Sequence, residues 1–138
     1  MSSFETPVQS IEAITDGDTM RIVLDLGYRV QFGVTTRIFG VDAPEKGTAA
    51  GKLVRQCVER WLNDVASRKY RLVWRSQDLD MYGRSLGDFL DAEHPTETLS
   101  GFLLSRQLAK RYDGQGKRAE WNQAELHAAE QSAREWLR

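Results

Sequence analysis

The chain has 138 residues, a formal net charge of −1, and hydrophobic and charged fractions of 41% and 28%. That length suits one core of ordinary size and is short for two, and the composition excludes both a disordered polyelectrolyte and a membrane-embedded chain. The charge argues against a broad basic surface for nucleic acid, which works by neutralising phosphates, but not against an enzyme that needs a few local arginines and a cation.

One domain over residues 1–138 is expected, with residues 1–7 a flexible N-terminal segment. The start, Met1-Ser2-Ser3-Phe4, has no basic stretch leading into an apolar run, so a cytoplasmic protein without membrane contact is expected as encoded, with release by export or lysis left open. The lone cysteine, Cys57, excludes an internal disulfide and a cysteine zinc site, and its place in an apolar helical phase marks a buried thiol.

In chain order, Val8 to Thr15 reads as a strand ending at the Asp16-Gly17 turn. Met20, Ile22 and Leu24 alternate with Arg21, Val23 and Asp25, and Leu26-Gly27 reads as a hairpin reversal. Tyr28, Val30, Phe32 and Val34 then resume a period of two, with a bulge or bend expected at Gly33. Ile38 to Val41 is apolar and ends at Pro44. From Ala49 the period becomes helical, with Leu53, Val54, Cys57, Val58, Trp61, Leu62 and Val65 on one face. Tyr70-Leu72-Trp74 and Leu86 to Leu90 are two further strands. Thr96 or Thr98 caps a helix through Leu104, 113–116 is a loop, and a last helix is expected from Arg118 to Leu137. Five strands with one interposed helix and two following it fit an α+β fold: a five-stranded Greek-key β-barrel of the oligonucleotide-binding (OB) type with three helices.

Three stretches hold acids and arginines: Asp16-Gly17-Asp18-Thr19, Arg37 to Glu45, and Asp80-Met81-Tyr82-Gly83-Arg84. If their strands are neighbours, Asp18 and Asp42 converge and, with a backbone carbonyl and waters, make a site for calcium. The competing reading is that Asp16 and Asp18 are ordinary turn acids. Arg37 and Arg84 are suited to fork onto phosphate oxygens, or else to pair with surface acids. Glu45, in a turn after Pro44, is placed to activate water, or is a solvated loop acid. Tyr82 and Tyr112 border turns where a ring can stack on a base, and for Tyr112 packing is an equal alternative. His94 and His127 have no partner at metal-ligand spacing and are given no role.

These stretches, with Leu108-Ala109-Lys110, resemble the staphylococcal nuclease family over about residues 8 to 137. The resemblance implies a calcium-dependent nuclease of low sequence selectivity, acting on DNA and RNA with single strands preferred, as a monomer, and leaving 3′-phosphate and 5′-hydroxyl ends. It implies that Asp18, Asp42 and the Ala43 carbonyl bind the calcium. Arg37 and Arg84 would bind the phosphate, Glu45 would activate the water, and Tyr82, Tyr112 and Thr19 would meet the substrate. The chain departs from the family's best-known member in a shorter loop after Glu45, in Met81 where that member has a lysine, and in having Tyr112 where that member has two tyrosines. The alternative is a non-catalytic module, binding nucleic acid or protein on the same barrel.

Overall fold

The computed structural model describes residues 4–68, 71–79, 82–114 and 116–138. The expectations for Tyr70, Asp80 and Met81 lie outside these residues. Five strands close a barrel. Strands β1 (Phe4–Asp16), β2 (Thr19–Asp25) and β3 (Gln31–Ile38) form an antiparallel meander, and β5 (Leu72–Leu79) and β6 (Ser85–Asp91) form a hairpin. The hairpin joins the meander twice, β5 antiparallel to β1 and β6 parallel to β3. This is the expected α+β, OB-like barrel with three helices, α1 (Ala49–Ala66), α2 (Leu99–Ser105) and α3 (Gln123–Leu137).

The alternation in β2 buries Met20, Ile22 and Leu24, which meet Trp74 of β5 and Phe89 of β6 inside the barrel. The two rings lie 4.8 Å apart at 59°, a tilted contact, and the Trp74 indole donates to Ser85 Oγ at 3.0 Å. Helix α1 starts where Thr48 accepts from the Gly51 amide, and it turns Val54, Cys57, Val58 and Leu62 inward. Each fully buried side chain of that size contributes about 1.5–3 kcal/mol. Ala129 and Ala133 of α3 are small enough to let that helix approach α1 closely, with Cys57 Sγ 3.7 Å from the Ala133 carbonyl. Burial pushes the Cys57 thiol up to about 11, which keeps it protonated and inert.

Several expectations need correction. Phe4 to Pro7 are not a loose segment, because they pair with Val73 to Ser76 and seal the barrel. Gly33 carries no bulge, since Val23↔Gly33 keeps regular register; register shifts fall within the β1–β2 and β5–β6 pairings and at Leu90/Asp91 on the outer side of β6. A Cβ at Gly33 would lie 2.8 Å from Arg21 Nη2, so the glycine makes room for a guanidinium. Tyr28 belongs to the hairpin turn, with Tyr28 and Arg29 in the left-handed region at φ 52° and 63°.

The polar run His94–Thr98, for which no strand was expected, forms strand β7 along the outer edge of β6. The last helix begins at Gln123 rather than Arg118, because Asn122 and Glu125 form a reciprocal capping box. Two-residue strands β4 (Val41–Asp42) and β8 (Lys110–Arg111) also pair. Among the described residues, no helix is long and apolar enough to cross a membrane.

Candidate active site

Strand pairing brings the separate stretches together. Thr19 is opposite Arg37 in the β2–β3 ladder, which sets the first stretch against the second. Arg37 is opposite Leu86 in the parallel β3–β6 pair, which sets the second against the third. Asp42 is opposite Lys110, and the Tyr112 amide donates to the Gly40 carbonyl at 3.0 Å, so the segment after α2 closes the remaining side.

The result is a cleft of about 690 Å³ whose walls include Asp18, Thr19, Arg37, Tyr82, Arg84 and Tyr112. Asp42, Ala43 and Glu45 line an adjoining cavity of about 470 Å³. Arg118 belongs to the wall of both. Three arginines and two aspartates, Asp16 and Asp18, face the main cleft.

Asp18 is buried and fully engaged. Its Oδ2 accepts from the Ala43 amide at 2.8 Å and pairs with Arg37 Nη1 at 3.0 Å, while Oδ1 accepts from the Thr19 hydroxyl at 3.0 Å. The carboxylate therefore reaches the peptide immediately after Asp42. Asp42 is also buried, and its oxygens meet Arg118 Nη1 at 3.0 Å and the Trp121 indole at 3.2 Å. Arg37 is buried against Asp18, as an arginine without water must be. The Arg84 guanidinium sits 5.5 Å from the centre of the Tyr82 ring, within cation–π range. The Tyr112 hydroxyl donates to the Gly116 carbonyl at 2.8 Å, which fixes its ring at the cleft wall.

Glu45 is exposed, on a turn held from two sides. Its carbonyl accepts from the Thr48 amide at 3.1 Å and from the Thr48 hydroxyl at 2.8 Å, and Asp16 Oδ1 accepts from the Lys46 amide at 2.9 Å. Gly51 makes this turn possible, since a Cβ there would sit 1.8 Å from the Glu45 carbonyl oxygen. Gly87 plays the same part in the barrel wall, where a Cβ would meet the Arg75 carbonyl oxygen at 2.0 Å.

Arg118, Trp121 and Gly51 were not singled out from the sequence as site residues. The Asn122-x-x-Glu125 capping box was the available signal for the first two, because it ends the helix early and frees residues 118–121 to reach Asp42.

No family model matches the chain. Over 74 residues it is 38% identical to Protein ParB of Escherichia coli, a stretch that makes up 54% of this chain. The matched stretch spans 36% of that protein's length.

Proposed function

We propose that the chain is a metal-dependent phosphodiesterase that hydrolyses nucleic acid with low sequence selectivity. The observation that supports this most is the meeting of Asp18, Arg37 and Arg84 in one cleft, beside a cavity lined by Asp42, Ala43 and Glu45.

The donor chemistry fits calcium. Two buried carboxylates, Asp18 bonded to the Ala43 amide and Asp42 next to it in the chain, and the Ala43 carbonyl are hard oxygen donors of the kind this ion accepts with waters. Among the described residues no group of three or more histidines, cysteines and acids is placed to hold a metal ion, so the protein ligands would be the two aspartates and that carbonyl, with waters making up the rest. Arg118 and Trp121 have to leave Asp42 for a cation to enter. Calcium bound there supplies positive charge to polarise the phosphate and its water.

The chain's own residues account for the remaining work. Arg37 and Arg84 hold the non-bridging phosphate oxygens and meet the extra charge of the five-coordinate transition state, a role in which each donor is worth on the order of 10²–10³ in rate. Glu45 takes a proton from the attacking water, whose oxygen forms the new bond to phosphorus. The bond from phosphorus to the 5′-oxygen breaks, that oxygen takes a proton from solvent, and the products are a 3′-phosphate and a 5′-hydroxyl. Tyr82 and Tyr112 offer ring faces to the bases of an unpaired strand, which favours single-stranded DNA or RNA.

The test is degradation of single-stranded DNA by purified protein in calcium. Chelator, Arg37→Ala and Glu45→Ala should each abolish it, and intact substrate across a range of calcium concentration and pH would refute the reading. One observation favours the alternative, a non-catalytic binding module: Asp18 and Asp42 are already neutralised by Arg37 and Arg118. Nucleic-acid binding indifferent to calcium would support that reading.

A further inference from the structure

A groove of about 480 Å³ adjoins the cleft and shares Tyr82 and Arg84 with it. Its other wall is the start of β3, from Phe32 to Thr35, together with Arg21 of β2. The ladder explains why the two sites are continuous. Met20, Ile22 and Leu24 point into the core, so Thr19, Arg21 and Val23 of β2 and their partners Arg37, Thr35 and Gly33 share the outer face. Moving from the Thr19–Arg37 pair in the cleft to the Arg21–Thr35 pair covers two residues, about 7 Å of strand.

The groove carries the groups that an unpaired nucleotide needs. Phe32, opposite the buried Leu24, belongs to the other face of β3 from Arg21 and lines the groove at the strand's edge, before the pairing with β6 begins at Thr36. It is 54% exposed and Tyr82 is 76% exposed. The Arg21 guanidinium lies across Gly33, where a side chain would push it aside, and donates to the Thr35 hydroxyl at 3.3 Å. Its ion pair with Glu12 at 3.3 Å is half exposed on both sides, and such a pair gives up little when a phosphate competes for the cation.

We infer that this groove is a second nucleotide subsite for a single-stranded substrate, with Phe32 stacking on the base next to the scissile nucleotide and Arg21 binding its phosphate. This rests on the phosphodiesterase reading of the cleft. A duplex is disfavoured because its bases are stacked on one another and present no face to Phe32.

The experiment compares hydrolysis of a nitrophenyl ester of a single nucleotide with hydrolysis of a hexanucleotide, in calcium. Phe32→Ala should raise KM for the hexanucleotide roughly tenfold relative to the short ester, without a matching change in kcat. Arg21→Ala should shift the same ratio and lower the salt slope of hexanucleotide binding by about 0.7, and Arg21→Lys should restore both. Equal effects on long and short substrates, or no effect, would overturn the subsite while leaving the phosphodiesterase reading intact. If the wild-type protein hydrolyses neither substrate, anisotropy of a labelled hexanucleotide decides. Binding weakened by Phe32→Ala keeps the subsite after the activity has failed, and binding indifferent to both residues, or none, rejects it.

Discussion

Replacing Arg118 with alanine probes how the acidic pair is held before any cation arrives. Arg118 Nη1 lies 3.0 Å from Asp42 Oδ1, and the arginine side chain is 48% exposed against 8% for the aspartate. Exposed pairs contribute about 0–1 kcal/mol, and breaking a buried one costs about 3–5 kcal/mol. A half-exposed arginine on a buried carboxylate falls between, so the metal-free variant should lose about 1–2 kcal/mol of stability. If the proposed site binds calcium, the same interaction would oppose it in the wild type, because a cation would have to displace the guanidinium to reach Asp42. At about 1.4 kcal/mol per factor of ten, its removal should tighten calcium binding roughly tenfold. Thermal unfolding in chelator and in calcium, with titration calorimetry, reads both quantities. The variant should melt below the wild type in chelator, and calcium should close or reverse the gap. Calcium affinity that is unchanged or weaker in Arg118→Ala refutes the reasoning, since Asp42 would then not be a ligand.

Gly51→Ala should destabilise the fold by about 1–3 kcal/mol and displace Glu45, lowering cleavage on the order of a hundredfold, because the new Cβ would overlap the Glu45 carbonyl. Gly47→Ala, where nothing lies within 4 Å, should change neither unfolding nor rate. Asn122→Ala removes the side-chain half of the α3 cap, and chemical denaturation should show a loss of about 1 kcal/mol. The Arg71 guanidinium, hydrogen-bonded to Asp91, holds that carboxyl below the usual carboxylate range. A depressed folded value gives stabilisation that is fully present above the unfolded pKa of about 3.9 and is lost as pH falls through the folded value. Asp91→Asn should therefore lower stability at neutral pH and flatten the acid limb below about pH 4 in urea unfolding. Asp88 has the opposite sign, because burial raises its carboxyl and so favours the folded state on acidification.

What was legible in the sequence is what repeats along one element. Met20, Ile22 and Leu24 announce a half-buried strand, and Val54, Cys57, Val58 and Leu62 announce one face of a helix, because each set buries a single side. Strand β7 left no such trace, since four of its five residues are exposed and none of them alternates between core and solvent. The barrel was legible from strand count and order, while its register shifts were not: Gly33 keeps regular pairing with Val23, and the Arg21 guanidinium lies across it.

In the site, Asp18, Arg37 and Arg84 stood out by their order, and the β2–β3 and β3–β6 pairings bring their stretches together. Arg118 did not, because its partner Asp42 is 76 residues away and such a contact has no local pattern. Gly51 was hidden for a related reason: its role is set by a carbonyl oxygen packed against it, and a glycine within a helical run signals nothing by itself.

The central claim is that Asp18 and Asp42 form one cation site serving the arginines of the cleft. A time course with labelled single-stranded DNA, in calcium and in chelator, using the wild type, Asp18→Asn and Asp42→Asn, tests it most directly. The expected result is fragments ending in 3′-phosphate from the wild type in calcium only, and none from either variant. Fragments that persist in chelator, or that Asp42→Asn produces at the wild-type rate, would contradict it.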